Sequence, residues 1–363
     1  MNLNIMQWFD PSILIFMGMS LVLNGLFAYL WHKKFDQKLG LKSYQAIQRI
    51  HLNETPRFGG LIFIFSLASF EVFSNTSESI QLLKIILICL IPIIFVGIKE
   101  DLFHNVEPVI RLLALLFVGW LFIAQFLGPL PILTNIPFIG KLVLLPGGIS
   151  FFYILSMLAV ANGMNLIDGV NGLCGAVALS ILSALLFLSY KTADITMLSL
   201  IFSVILLLIP FMLINYPYGR IFLGDLGAYG LGVIVSVLTI ILFGRHPEIS
   251  PWGAVLILIY PATEVIFTIL RRILKGVPIY HADTAHLHLK LFHFFRPQPH
   301  YKKLANALVT PTLSGLWLFP FLAITWVYQK PLFIWIAVIL FITLYGLLYV
   351  LIPNVKKNTV SHL

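Results

Sequence analysis

An all-α, polytopic membrane bundle of ten or eleven spans is the fold the sequence predicts, and three observations predict it. Sixty per cent of the 363 residues are hydrophobic and only 10% are charged, a balance outside that of soluble globular domains. Apolar runs approaching the roughly 20 residues that cross a bilayer core recur along the whole chain. Lys and Arg gather in alternate connecting loops, as they do on the cytoplasmic side of membrane proteins.

Taken in order, the runs cover residues 11–31, 59–74, 82–98, 109–128, 149–163, 173–190, 195–214, 227–244, 252–270, 309–328 and 332–352. The second and fifth are short, and Pro261 interrupts the ninth, which leaves the count at ten or eleven. The N-terminal "MNLNIMQWFDPS" lacks a basic stretch and contains Asp10, so the first run reads as a retained span rather than a cleaved signal. No soluble insertion or internal repeat interrupts the series, and residues 1–363 read as a single membrane-embedded domain. With the N-terminus outside and the C-terminus cytoplasmic, 18 of the 23 Lys and Arg fall in inside loops, the orientation expected of a multi-pass protein of the plasma (inner) membrane.

The net charge of +9 fits orientation and contact with anionic head groups or phosphates, and nucleic acid is not an expected partner. Cys89 and Cys174 both lie in apolar surroundings, so neither a disulfide framework nor a thiolate metal site is expected.

The same orientation puts the loops richest in carboxylates, Asn, His and Gly on one face. They are "NETPRFGG" with Arg57, "IKEDLFHN" with Glu100 and Asp101, "NGMNLIDGVNG", "NYPYGRIFLGDLGAYG" and "HADTAHLHLKLFH". Glu100 and Asp101 read equally as a solvated helix end. Asn162, Asn165, Asp168 and Asn171 recur every third residue, which on a helix makes a polar stripe that must line a hydrated cavity or bond other helices. Gly163, Gly169, Gly172 and Gly175 allow close approach of a helix or of a ligand phosphate. Asp225, between Gly224 and Gly227 at the start of a span, suits a hard cation with its phosphate ligand. His286 and His288 are two residues apart and would diverge on a helix, which argues against a helical zinc site; the Lys and Arg around them favour anion binding.

Carboxylates for Mg2+ and cationic donors for a diphosphate, on the rim of a helical bundle, describe phosphoryl transfer to or from a lipid. A secondary transporter would instead carry ionisable groups near mid-membrane, and Glu71 and Glu264 are the main candidates for that reading. A catalytically inactive membrane scaffold is the other alternative, against which the retained Asp101, Asp168 and Asp225 argue.

Five ordered segments, "TPRFGG", "KEDLFHN" with the following "IRLL", "NLIDGVNGL", "FLGDLGAYGLG" and "ADTAHLHL", resemble the motifs of the polyprenyl-phosphate N-acetylhexosamine-1-phosphate transferases, the MraY/WecA-like glycosyltransferase family 4. The resemblance extends over nearly the whole chain. It implies transfer of a sugar 1-phosphate from a UDP-sugar to polyprenyl (undecaprenyl) phosphate, releasing UMP and starting a cell-envelope glycan of O-antigen or exopolysaccharide type. The implied cofactor is Mg2+, with Mn2+ as a substitute; the implied partners are the UDP-N-acetylhexosamine, the lipid phosphate and the bilayer, with homodimer formation left open.

Carried over residue by residue, Asp225 matches the Mg2+-binding aspartate and Phe222 the aromatic that stacks on uracil. Asn215 matches a polar position of the nucleotide pocket. Asn165 and Asp168 match the "N-x-x-D" lining the same cavity, and Asn171 stands where many members have a second aspartate. His286 and His288 match the loop implicated in diphosphate binding, with Arg57 a further substrate contact. Glu100 and Asp101 align with paired aspartates that engage the lipid phosphate; Asp101 is expected to matter more, as phosphate positioner, metal ligand or base. The chain departs from the pattern at Glu100, at His104, where a third aspartate is frequent, and at the His286-Leu287-His288-Leu289 run, which replaces the three consecutive histidines of the phospho-MurNAc-pentapeptide branch. The histidine run, together with the absence of the lysine usual shortly before the Thr-Pro-x-x-Gly-Gly motif, where Leu52 and Asn53 stand, points toward UDP-GlcNAc or a related amino sugar.

Overall fold

In the computed structural model the described residues are 12–34, 55–73, 77–131, 133, 139–278, 285–298 and 304–353, and no strand occurs among them. In chain order the helices are α1 (Ile13–Lys34), α2 (Gly59–Phe73), α3 (Ser77–Phe103), α4 (Pro108–Gln125), α5 (Ile139–Val143), α6 (Gly148–Ile167), α7 (Leu173–Lys191), α8 (Ile195–Asn215), α9 (Gly224–Arg245), α10 (Trp252–Ile257), α11 (Ile259–Leu274), α12 (Leu287–Phe295), α13 (Ala305–Thr312), α14 (Ser314–Trp317), α15 (Phe319–Val327) and α16 (Pro331–Leu351).

Each of the eleven predicted runs is helical. Among the described residues, nine helical stretches are long and apolar enough to cross a membrane. The remaining two runs are α2, which is shorter, and α10 with α11, which break at Leu258 just before Pro261. Proline inside the first turn of α11 removes a backbone donor where no intrahelical acceptor exists, so the break sits where it is least expensive.

Helix α9 is the axis of the bundle. Every residue from Gly224 to Gly244 except Asp225 is buried, with α2, α3, α6, α7 and α8 packed around it. Lipid tails are as apolar as the side chains here, so close van der Waals packing has to hold these helices together. Glycine provides the approach: a Cβ on Gly60 of α2 would lie 2.3 Å from the Gly227 Cα, and one on Gly232 would lie 2.4 Å from the Ala161 Cα of α6. The buried hydroxyls of Ser236 and Thr239 return their hydrogen bonds to the Gly232 and Val235 carbonyls of the same helix, so neither is left unpaired.

Helices α3 and α9 run antiparallel. The end of α3 meets the start of α9, where the Asp225 amide donates to Asp101, and the start of α3 meets the end of α9, where Arg245 pairs with Glu78. With 22 residues α9 is about 33 Å long, so these two meeting points lie at opposite ends of the bundle.

Candidate active site

The start of α9 has no side-chain cap of its own. Gly224 takes φ +77° to begin the helix, a conformation glycine adopts without steric cost. The first amides then need an acceptor, and Asp101 supplies it from the last turn of α3. Its Oδ1 accepts from the Asp225 amide at 2.8 Å and its Oδ2 from the Leu226 amide at 3.2 Å. A carboxylate at a helix N-terminus also answers the helix dipole. Asp101 therefore sets the direction in which Asp225 leaves the backbone.

Glu100 faces a different task. Its Oε2 accepts from the Val106 amide at 2.9 Å, closing the turn after α3, and its Oε1 lies 3.4 Å from the Arg111 Nη2. Arg111 in turn reaches Asp225, Nη1 to Oδ2 at 3.1 Å, and donates through Nη2 to the Val106 carbonyl. His104 is an exposed left-handed residue ending α3, a helix-capping position. The Arg57 guanidinium comes within 3.9 Å of Asp101. Its segment is stitched to the start of α9 by the Phe222 amide donating to the Pro56 carbonyl and the Gly59 amide donating to the Phe222 carbonyl.

Asp168 shares this space. Burial pushes its carboxyl well above the usual carboxylate range; Arg57 pulls it down, and Asp225 and Asp101 push it further up. The four groups thus act on one another at one end of the bundle, where four carboxylates, counting Glu100, confront two guanidiniums. That excess of hard oxygen donors fits a divalent cation, since Mg2+ usually takes one or two carboxylates and completes its shell with substrate phosphates and water. No group of three or more metal-binding side chains occurs among the described residues.

The polar stripe expected on one helix face is divided. α6 ends at Ile167, so Asn162 and Asn165 lie on the helix, Asp168 caps it, and Asn171 falls in the turn beyond. Asn171 braces that turn: its Nδ2 donates to the Pro217 carbonyl and its amide to Asn306. Asn215 is also committed, accepting from the Gly172 amide and donating to the Ile221 carbonyl, both at 2.7 Å. Both residues shape the cavity wall. Of the four glycines there, Gly163 lies against the Pro261 carbonyl, Gly169 against His288, Gly172 against Tyr216 and Gly175 against Met212; each serves packing.

The histidines converge instead of diverging. His286 is extended and caps α12, so the helical spacing argument does not apply to it. The two rings stack with centroids 5.6 Å apart, and both face Glu264 of α11. The His286 Nδ1 is 3.1 Å from that carboxylate. His281, Asp283 and Thr284 of the same motif lie outside the described residues. Sequence reasoning missed the use of Arg111 and of Glu264; a lone arginine opening an otherwise apolar helix and a lone carboxylate inside one were the available signals.

Residues 83–243, which contain Glu100, Asp101, Arg111, Asp168 and Asp225, match the model of glycosyl transferase family 4. The probable undecaprenyl-phosphate N-acetylglucosaminyl 1-phosphate transferase of Bacillus subtilis is 26% identical over 265 residues, covering 72% of each chain. An undecaprenyl-phosphate alpha-N-acetylglucosaminyl 1-phosphate transferase of Yersinia pestis is 28% identical over 264 residues, 70% of each chain. A phospho-N-acetylmuramoyl-pentapeptide-transferase of Levilactobacillus brevis is 25% identical over 278 residues, 72% of this chain and 84% of that one.

Proposed function

We propose that this membrane protein, whose residues 83–243 belong to glycosyl transferase family 4, transfers an N-acetylhexosamine 1-phosphate from a UDP-sugar to polyprenyl phosphate. The observation that carries the reading is the meeting of Asp101, Asp225, Asp168, Arg57 and Arg111 at one end of the bundle, in a chain similar to enzymes named for that transfer.

In the proposed reaction an oxygen of the lipid phosphate attacks the sugar-bearing phosphorus of the donor. The bond from that phosphorus to the bridging oxygen breaks, UMP departs with the electron pair, and a new diphosphate bridge joins sugar and lipid. Both reactants are anionic, and polyprenyl phosphate, with a second pKa near 6, is already mostly dianionic at neutral pH. The protein has to hold two repelling phosphates in line more than it has to remove a proton. Asp225 and Asp168 would hold Mg2+, or Mn2+ in its place, which supplies charge neutralisation at the phosphate oxygens. Asp101 spends both its oxygens on the α9 amides and keeps Asp225 aimed, so we assign it positioning ahead of metal ligation or base catalysis. Arg111 balances Asp225 in the absence of a divalent ion and can be shared with a phosphate oxygen once one binds. Phe222 and Asn165 remain the proposed contacts for the nucleotide.

UDP-GlcNAc is the proposed donor and the cytoplasmic rim the proposed side, with the product opening an O-antigen or exopolysaccharide type pathway. The test is transfer by the purified protein in detergent with undecaprenyl phosphate, Mg2+ and a panel of labelled UDP-sugars. UMP and lipid-linked product from UDP-GlcNAc support the reading; product from no donor refutes it.

A further inference from the structure

We infer that Glu264 is the positioning residue of the histidine pair: one buried carboxylate behind both rings that presents the Nε2 edge of His288 to the turn carrying Asp168. This rests on the proposed transfer and deepens it, since neither the histidine motif nor the family match over residues 83–243 includes Glu264.

A carboxylate inside an apolar helix bundle is expensive and persists only where something pairs with it. Glu264 is 1% exposed, and it lies between α11 and the start of α12 with His286 and His288, themselves 3% and 1% exposed. The His286 Nδ1 stands 3.1 Å from its Oε2 and the His288 Nδ1 stands 3.9 Å from its Oε1. An ionised carboxylate only accepts, so the His286 Nδ1 that bonds it carries the proton. The His288 Nδ1 faces the same carboxylate from beyond hydrogen-bond reach, and neither it nor the Glu264 Oε1 has a hydrogen-bond partner. The opposite edge of the His288 ring meets Gly169, where an added Cβ would lie 2.6 Å from Nε2. Gly169 directly follows Asp168 in the chain. Both ring nitrogens of His288 are buried without a hydrogen-bond partner, an exception in a folded interior that asks for a role beyond packing.

The surroundings fix this arrangement from the remaining sides. Among the described residues, Tyr260 of α11 and Tyr345 of α16 are buried beside Glu264, and Arg271 of α11 acts on Tyr345 and Lys290 from the end of that helix. On the far side of α12, Lys290 donates to the Tyr349 carbonyl of α16. Burial pushes the His288 imidazole down, and Glu264 opposes that shift. Behind a histidine, a carboxylate orients the ring and stabilises its imidazolium without touching substrate, as in other carboxylate–histidine pairs.

The test uses the full chain in detergent, with UDP-GlcNAc and undecaprenyl phosphate as substrates. Glu264→Gln keeps the shape and removes the charge. We expect it to stay monodisperse, to lose about tenfold to 100-fold in kcat at neutral pH, and to move the basic limb of the pH–rate profile to lower pH, because the imidazolium has lost its counter-ion. Glu264→Asp keeps the charge and should keep the wild-type profile at a reduced rate, which preserves the test if the Gln variant fails to accumulate. In a His288→Gln background, Glu264→Gln should add little further loss. A Glu264→Gln enzyme with the wild-type rate and profile overturns the inference while leaving the transfer intact. So does an equal loss at every pH that follows loss of folded protein, or a shifted profile in Glu264→Asp. Absence of product from the wild type overturns the transfer and this role together.

Discussion

At its C-terminal end α9 delivers Arg245 to Asp194 at 2.7 Å and to Glu78 at 2.8 Å. His246 fits between Asp194 and Glu248 at 2.9 and 3.0 Å. Asp194 also caps α8 through the Met197 amide. At its N-terminal end, about 33 Å away, the same helix offers Asp225 to a cavity in which carboxylates outnumber guanidiniums and Asp168 is held above its ordinary range. In the first cluster every carboxylate is paired with Arg245 or His246 and the set is closed in that sense, although a cavity lined by Thr192, Asp194, Thr196, Arg245 and His246 opens beside it. In the second the protein keeps more carboxyl groups than guanidiniums, with Asp168 held toward its neutral form. The contrast separates two uses of the same residue types: charges that tie helices together, and charges kept for something that binds.

The largest expected effect tests the open end. Asp225→Asn should lower UMP release by about 1,000-fold or more, while the protein elutes from size exclusion as the wild type does; near wild-type turnover would show that the cavity's excess charge is idle. Asp101→Asn should also suppress transfer, and because the amide cannot accept from both α9 N–H groups it should cost about 1 kcal/mol of stability as well. That double loss distinguishes a capping role from that of a simple base.

Asp194→Asn tests the closed end. Burial raises its carboxyl, but the Met197 amide, His246 and Arg245 outweigh burial and hold it below the usual range. Its stabilisation is therefore complete above the ordinary aspartate value of about 3.9 and drains away as pH falls below it. The substitution should lower stability in detergent at neutral pH by about 2 kcal/mol and leave transfer per folded molecule unchanged. Asp168→Asn should do the reverse. A carboxyl raised on folding costs stability once it is ionised, above about pH 3.9, so the amide should raise the melting temperature in EDTA at pH 7 while transfer drops. If both variants move melting temperature the same way, the distinction between the two ends fails. The smallest expected effect is Glu100→Asp, which keeps a carboxylate for the Val106 amide and Arg111 and should change the rate by a factor of a few, less than Asp101→Glu.

The spans were legible because an apolar run is a local property of the sequence, but their ends were trimmed where function lies. Hydropathy stopped the fifth run at residue 163 and began the eighth at 227, whereas the helices extend to Ile167 and from Gly224. The polar residues that break the apolar pattern, Asn165 and Asp225, are the ones the helices carry into the site. The regular spacing of Asn162, Asn165, Asp168 and Asn171 suggested one helix face, and a turn that begins at Asp168 defeats it. What no local pattern could reveal is partnership at long range: Asp101 bonds an amide 124 positions away and Arg111 a carboxylate 114 away. Glu264 was visible only as an ionisable group in a span, because its histidines lie on another helix.

The burial of α9 also has a history in time. Its main neighbours, α2, α3, α6 and α7, all precede it in the chain, so when α9 leaves the ribosome most of its berth has already been synthesised. Asp101 is then in place to receive the amide of Asp225. The histidines and Glu264 are made afterwards, so a nascent chain halted before α11 would present the carboxylates with Arg57 and Arg111 and without the histidine pair.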